Sequence, residues 1–179
     1  LSAGVRLPRL VGDHMVLQRG HPIPVWGWAD PDERITITFA GKTVTTKAGV
    51  DTKWRLDLPT MAAGGPYTMT VQDKKTTIVI RDILVGDVWL GSGQSNMEWA
   101  MNKFLPSTKT DVETARFPAI RLIDVNDTIA LVPQADIGTK GWRVCSPETV
   151  SDFSAVAFFF ARNLHQHYNV PIGLITSDW

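Results

Sequence analysis

The residues whose types and spacing could do chemistry lie in one short run, Gly91-Ser92-Gly93-Gln94-Ser95-Asn96-Met97-Glu98-Trp99. It directly follows Ile83 to Leu90, a stretch continuously apolar enough to be a strand buried on both faces of a parallel sheet. Catalytic groups and ligands collect at the C-terminal ends of such strands. A serine on a turn there exposes its hydroxyl, and flanking glycines let the backbone bend and a substrate come close. Backbone N–H groups just after the turn can hold an oxyanion. The chemistry this suits is acyl transfer through Ser95. Spacing alone also allows a structural Gly/Ser/Asn loop. A dinucleotide fingerprint fails twice: Asn96 stands where the third glycine belongs, and Asp111, at ribose-contact distance along the chain, sits in the polar run Thr108 to Asp111, not at a strand end. An α/β-hydrolase elbow needs glycine two residues after the serine, and Met97 is there instead.

The elements that must position this turn fall into two groups. From about Met15 to about Ile80 the pattern is β throughout. Predicted strands are 24–29, 34–39, 43–47, 54–58, 67–72 and 76–80, with turn residues at Asp30-Pro31, Ala40-Gly41-Lys42, Gly64-Gly65-Pro66 and Asp73-Lys74. Ile35, Ile37 and Phe39 alternate with Arg34, Thr36 and Thr38, the period of a half-buried antiparallel strand. Short strands at this spacing predict an N-terminal all-β sandwich over residues 1–81. Trp26 and Trp28 share one strand face there. With Trp54 they could be sugar-stacking platforms, although core packing is the favoured reading.

The character changes near Arg81. After the serine turn, 111–116 is predicted to be helical, 120–125 is a short strand and 126–149 is irregular. A helix follows with Phe153, Val156, Ala157, Phe160 and Leu164 on one face, Ser151 or Asp152 as its N-cap, and Asn169 and Pro171 ending it. Ile172 to Ile175 is a further strand. Strand, helix and strand in sequence predict a parallel α/β sheet over residues 82–179. About three of its strands are visible, so the domain reads as the first part of a larger one.

Composition limits the function classes. The 179 residues carry 18 Lys plus Arg and 18 Asp plus Glu, a formal net charge of zero. No charge run points to nucleic acid or an anionic membrane as partner, and the longest apolar stretch, 155–161, is too short to span a bilayer. The one cysteine, Cys145, cannot close a disulfide within the chain. It reads as a small buried hydrophobe, or as a link to a second polypeptide. The first residue is Leu1 and no signal peptide is readable, so the chain is expected to be processed or trimmed.

Gly93 to Trp99 resembles the nucleophile block of the sialate O-acetylesterase family, serine esterases of the SGNH-hydrolase superfamily. Other stretches match in the same order: Gly12 to Arg19, Pro24 to Trp28, Ala63 to Tyr67, Val85 to Trp89, Phe153 to Ala157 and Asn169 to Ile175. The resemblance covers nearly the whole chain, as the N-terminal portion of the family. It implies a β-sandwich followed by the first part of an SGNH-type (flavodoxin-like) hydrolase domain. It implies removal of O-acetyl groups from sialic acid or from a plant polysaccharide such as acetylxylan. Ser95 is then the nucleophile and, through its N–H, an oxyanion donor, with Gln94, Asn96, Met97 and Glu98 beside the substrate and no metal or cofactor needed. The family's Asp-x-x-His pair has no counterpart here, and His14, His21, His165 and His167 are poor candidates for the base. A glycine block is expected just after Trp179. Ser177 and Asp178 would rim the site, and Asp178, where serine is expected, receives no role. A second polypeptide carrying Asp-x-x-His and the remaining oxyanion donors is therefore the expected partner, in a secreted, periplasmic or lysosomal-type compartment. The alternative is a non-catalytic glycan-binding protein on the same scaffold.

Overall fold

The computed structural model of the chain describes residues 4–179, so residues 1–3 of the expected 1–81 unit lie outside the described residues. The β-rich half contains β1 (Val16–Gln18), β2 (Ile23–Trp28), β3 (Arg34–Phe39), β4 (Lys42–Lys47), β5 (Lys53–Leu58), β6 (Gly64–Gln72) and the long β7 (Thr77–Gly93). β3 and β4 form a hairpin turned by Ala40 and Gly41, whose positive φ values (49° and 76°) match the strand twist as tight hairpin turns require. β2 and β5 make a separate two-stranded antiparallel ribbon. Ile23, Val25, Trp54 and Leu58 of that ribbon join Ile35, Ile37, Phe39, Met69, Val71 and Ile80 in one buried cluster. The predicted alternation of β3 therefore holds: its three large apolar residues are buried.

The second half contains α1 (Ser95–Glu98), a 3-10 turn at Met101–Phe104, α2 (Lys109–Glu113), β8 (Phe117–Asp124), β9 (Arg143–Cys145), α3 (Pro147–Val150), α4 (Ala155–Tyr168) and β10 (Ile172–Asp178). The strands run in the order β4-β3-β6-β7-β10-β8-β9, with β1 also pairing β7. β6 runs antiparallel to β7, whereas β1 and β10 pair with it in parallel, and β10 is also parallel to β8. This mixed sheet with few helices fits part of an α/β hydrolase fold. The facing layer of the β half is only the two-stranded ribbon, and β7 belongs to both halves.

β7 also departs from the sequence reading, which ends one strand at Ile80 and begins another at Ile83. Arg81-Asp82 looks like a break between apolar runs. In the fold it is a bulge inside one strand: Asp82 takes φ 56°, and the pairing with β6 shifts between Tyr67 and Met69. The Asp82 carboxylate is not wasted on solvent. Arg121 of β8 donates to both of its oxygens (2.8 and 3.1 Å), and the His14 ring lies 2.6 Å from it. Arg121 also donates to the carbonyls of His14, Asp82 and Pro118, and so ties the β half to the parallel set.

The parallel set buries both faces. Ile120, Leu122, Ile172 and Leu174 pack under α4, with Phe153, Phe158 and Ala161. On the opposite face Ile123 and Trp142 join the core of the β half. Gly173 is required there, because a Cβ would lie 2.8 Å from Val16 Cβ.

The α4 face differs from expectation. Ala157, Phe158 and Ala161 are buried, while Val156 and Phe160 are exposed. Ala155 to Ala161 is apolar all round, so periodicity could not choose a face. The cap differs too. Ser154 caps α4, accepting from the Ala157 N–H (3.3 Å), and Ser146 caps the short α3 inside the segment expected to be irregular. Asn169, at φ 52°, ends α4 as predicted.

Candidate active site

The serine turn stands at the C-terminal end of the parallel strands. Gly93 pairs with Asp178, the last residue of β10, and the Trp179 N–H donates to the Gly93 carbonyl (3.2 Å). Gln94 is the N-cap of α1, and its carbonyl accepts from the N–H groups of Met97 (2.8 Å) and Glu98 (3.1 Å). Ser95 is the first helical residue. The N–H groups of Ser95 and Asn96 take no part in this turn, which is how a helix start presents donors to an anion.

Ser95 is exposed, and its hydroxyl makes no hydrogen bond among the described residues. Gln94 and Asn96 are exposed beside it. Met97 turns inward: Ser154 donates to its sulfur (3.5 Å), and the side chain packs against the α4 core. That contact seats the turn on α4. A second fastening follows, because the Trp99 carbonyl accepts from the Ala155 N–H and the Phe153 carbonyl accepts from the Met101 N–H. Glu98 points to the other side, into a cavity of about 330 Å³.

None of the four histidines contacts the turn. His14 is bound to Asp82 at the far end of β7's parallel half, and the His165 ring sits 2.8 Å from the Val170 carbonyl at the end of α4. His167 stacks edge-on against Tyr168, and His21 is exposed in the β half. Asp111, weighed for a ribose contact, accepts instead from Arg162 of α4 (2.6 Å).

The cavity beside the turn gathers residues that sequence spacing does not connect: Asp124 from the end of β8, Asp127 and Lys140 from the connection after it, Arg143 from β9, Asp152 and Asp178. Arg143 spans Asp124 (2.5 Å) and Asp152 (2.8 Å), and Thr176 donates to the other Asp124 oxygen (2.8 Å). Burial opposes the Arg143 charge, but its two carboxylates outweigh it and hold the guanidinium firmly protonated. Asp178 behaves in the opposite sense. Burial, then the nearby Asp124, Asp127 and Glu98, raise its carboxyl above the ordinary carboxylate range. Its Oδ2 is buried without a hydrogen-bond partner. The signal that could have found these groups was their place at the ends of β8 and β10. Among the described residues no group of three or more His, Cys, Asp or Glu side chains is arranged to hold a metal ion.

Away from the turn, Cys145 is buried, and burial pushes its thiol up to about 12, leaving it without nucleophilic character. Trp54 is a core residue, whereas Trp26 and Trp28 are half-buried on the outer face of the ribbon, with Arg6 over the Trp28 ring.

No family model matches the chain. It is 31% identical over 199 residues to the sialate O-acetylesterases of Homo sapiens and Pongo abelii, with 99% of this chain and 38% of each relative covered. The Rattus norvegicus sialate O-acetylesterase is 29% identical over 194 residues, with 98% of this chain and 36% of the relative covered. The crystal structure of a novel carbohydrate acetylesterase from Xanthomonas citri superposes with a TM-score of 0.94 at 40% identity, covering 98% of this chain and 40% of that one. The chain thus spans about two fifths of the length of the proteins it matches.

Proposed function

Because the chain belongs to the sialate O-acetylesterase family, whose curated members it matches over up to 38% of their length, we propose that it carries the nucleophile of a serine esterase that removes O-acetyl groups from carbohydrates. The carrying observation is the exposed, unbonded Ser95 hydroxyl at a helix start on the C-terminal edge of the parallel strands, with the Ser95 N–H uncommitted. In this reading the Ser95 oxygen attacks the ester carbonyl carbon, and its proton passes to an imidazole. The carbonyl oxygen becomes an oxyanion that accepts from the Ser95 N–H. Collapse of the intermediate breaks the bond to the sugar oxygen, which leaves with the proton. Water then releases acetate from the acetyl-serine by the reverse of the same proton path.

None of the described histidines lies at Ser95, so the base belongs to chain outside these residues. The same holds for the carboxylate that orients it and for the remaining oxyanion donors. A segment bearing an Asp-x-x-His pair would supply them. An extracytoplasmic location suits a substrate of this kind.

The test uses the complete protein and 4-nitrophenyl acetate. Ser95→Ala should lower kcat by at least about a thousandfold while the far-UV spectrum and Tm are kept. An organophosphate should label Ser95 stoichiometrically. Undiminished turnover in Ser95→Ala refutes the reading. A protein that binds acetylated glycans without reacting at Ser95 is a binding module instead.

A further inference from the structure

Ser154 is 4% exposed, and its hydroxyl is used twice. As the N-cap of α4 its oxygen accepts from the Ala157 N–H (3.3 Å), and its one proton is donated to the Met97 sulfur (3.5 Å). From the other side the sulfur meets β7, where a Cβ built on Gly91 would lie 3.2 Å from it. Met97, two residues after Ser95, is thus wedged between the end of β7 and the cap of α4. The backbone around Ser154 is fastened to the same turn. Ser154 forms a β-bridge with Ala100, the Phe153 carbonyl accepts from the Met101 N–H (3.0 Å), and the Ala155 N–H donates to the Trp99 carbonyl (2.9 Å). Just upstream, Arg143 holds Asp152 (2.8 Å).

We propose that Ser154 is a positioning residue for Ser95, acting through the Met97 sulfur. The proposal rests on the esterase reading and adds to it a residue that never touches the substrate. α1 has four residues, a single turn whose own hydrogen bonds cannot fix where Ser95 stands. Contacts from outside the turn must do so. A thioether is a weak acceptor, so the bond adds little stability. Its effect is directional, because it selects one rotamer of a flexible, unbranched side chain and thereby fixes the turn that carries the nucleophile. The absent side chain at Gly91 leaves the space in which that rotamer fits. Misplacing an attacking atom by about 1 Å costs on the order of a hundredfold in rate, so a fraction of that shift is worth about tenfold.

The experiment measures kcat, KM and Tm of the complete protein with 4-nitrophenyl acetate, together with the rate at which an organophosphate inactivates it. Met97→Leu keeps the volume and the α4 cap and removes the sulfur acceptor. Ser154→Ala removes both the donor and the cap, and Ser154→Thr keeps a hydroxyl for each. Met97→Leu and Ser154→Ala should each lower kcat and the inactivation rate by about tenfold, with KM held within about twofold. Ser154→Thr should restore most of the loss. The double variant Met97→Leu with Ser154→Ala should turn over no more slowly than Ser154→Ala alone, since both remove one contact. Met97→Leu decides the matter even if Ser154→Ala fails to fold. A Met97→Leu protein with kcat and inactivation rate within about twofold of the unaltered protein overturns the proposal, because the contact is then structural only. Loss of turnover in Ser95→Ala would still leave the esterase reading standing in that case. Turnover that persists in Ser95→Ala overturns both.

Discussion

At Ser95 the surroundings do two things at once. The turn is rigidly seated by Met97 against Ser154, and the hydroxyl is left free. The nucleophile proposed here would need both, because freedom without placement squanders the entropy that a fixed geometry removes from the barrier. Asp178 shows the cost of building a polar cavity beside it. Its folded carboxyl titrates above the unfolded value, so the folded state holds the proton more tightly. Stability therefore falls as pH rises from the ordinary carboxylate range through the raised value, and the loss is complete above it. Asp178→Asn should stabilise the protein at pH 7 by about 0.5 kcal/mol, a small figure because the carboxyl is partly solvated. The gain should vanish once the pH falls below the ordinary carboxylate range. Urea denaturation of both forms at pH 7 and pH 3.5 checks this, and an Asn variant less stable at pH 7 would contradict it.

The elements show why some of this was legible in the sequence and some was not. The β3 face could be read because a side-chain period of two survives any tertiary context that buries one side. The serine turn could be read because its glycines, polar residues and preceding apolar run are contiguous. The acid-lined cavity could not, since its carboxylates come from separate segments and meet only through the register of β7, β10 and β8. The continuity of β7 was hidden by Arg81-Asp82, which look like solvent-facing punctuation until Arg121 arrives from β8. That clamp carries a prediction of its own. Arg121 is 4% exposed, and five acceptor contacts converge on it. Arg121→Met should cost about 3 kcal/mol, because Asp82 and three carbonyls lose their donor together. The Arg121 hydrogen bond, then His14, holds the Asp82 carboxyl below its ordinary range. Its contribution is therefore full above that range and is lost as pH falls through the depressed value. Asp82→Asn, which tolerates the left-handed backbone at this position, should flatten the acid limb of the stability curve. Thermal melts of the three proteins between pH 2.5 and 7 read both effects, and an unchanged acid limb would remove Asp82 from the account.

On the scale of the whole molecule, the two edges of the parallel set are not equivalent. At one end β9 closes it with an antiparallel pairing. At the other, residues 87–93 of β7 pair with β10 alone among the described residues. Trp89 and Leu90 on that strand are 44% and 66% exposed, next to Val156 and Phe160 of α4, which are 51% and 42% exposed. Trp89 and Phe160 meet edge to face at 5.1 Å, and the patch borders an apolar cavity of about 230 Å³. A one-sided strand beside an apolar surface is an association surface. The formal net charge is zero, so no long-range repulsion opposes contact between copies. Residues 1–179 expressed alone should therefore self-associate at micromolar concentration and bind a hydrophobic dye. Leu90→Asp with Phe160→Asp should lower both signals, since each aspartate would have to be desolvated for the face to be covered. In the complete protein the prediction reverses. If the base and oxyanion donors proposed for Ser95 approach from this side, the same two aspartates should lower Tm and the proposed esterase activity together. Sedimentation velocity on the short chain and melting of the complete one separate the two cases. A monomeric short chain that binds no dye, with a double aspartate variant of the complete protein that melts unchanged, would mean that this face carries no contact.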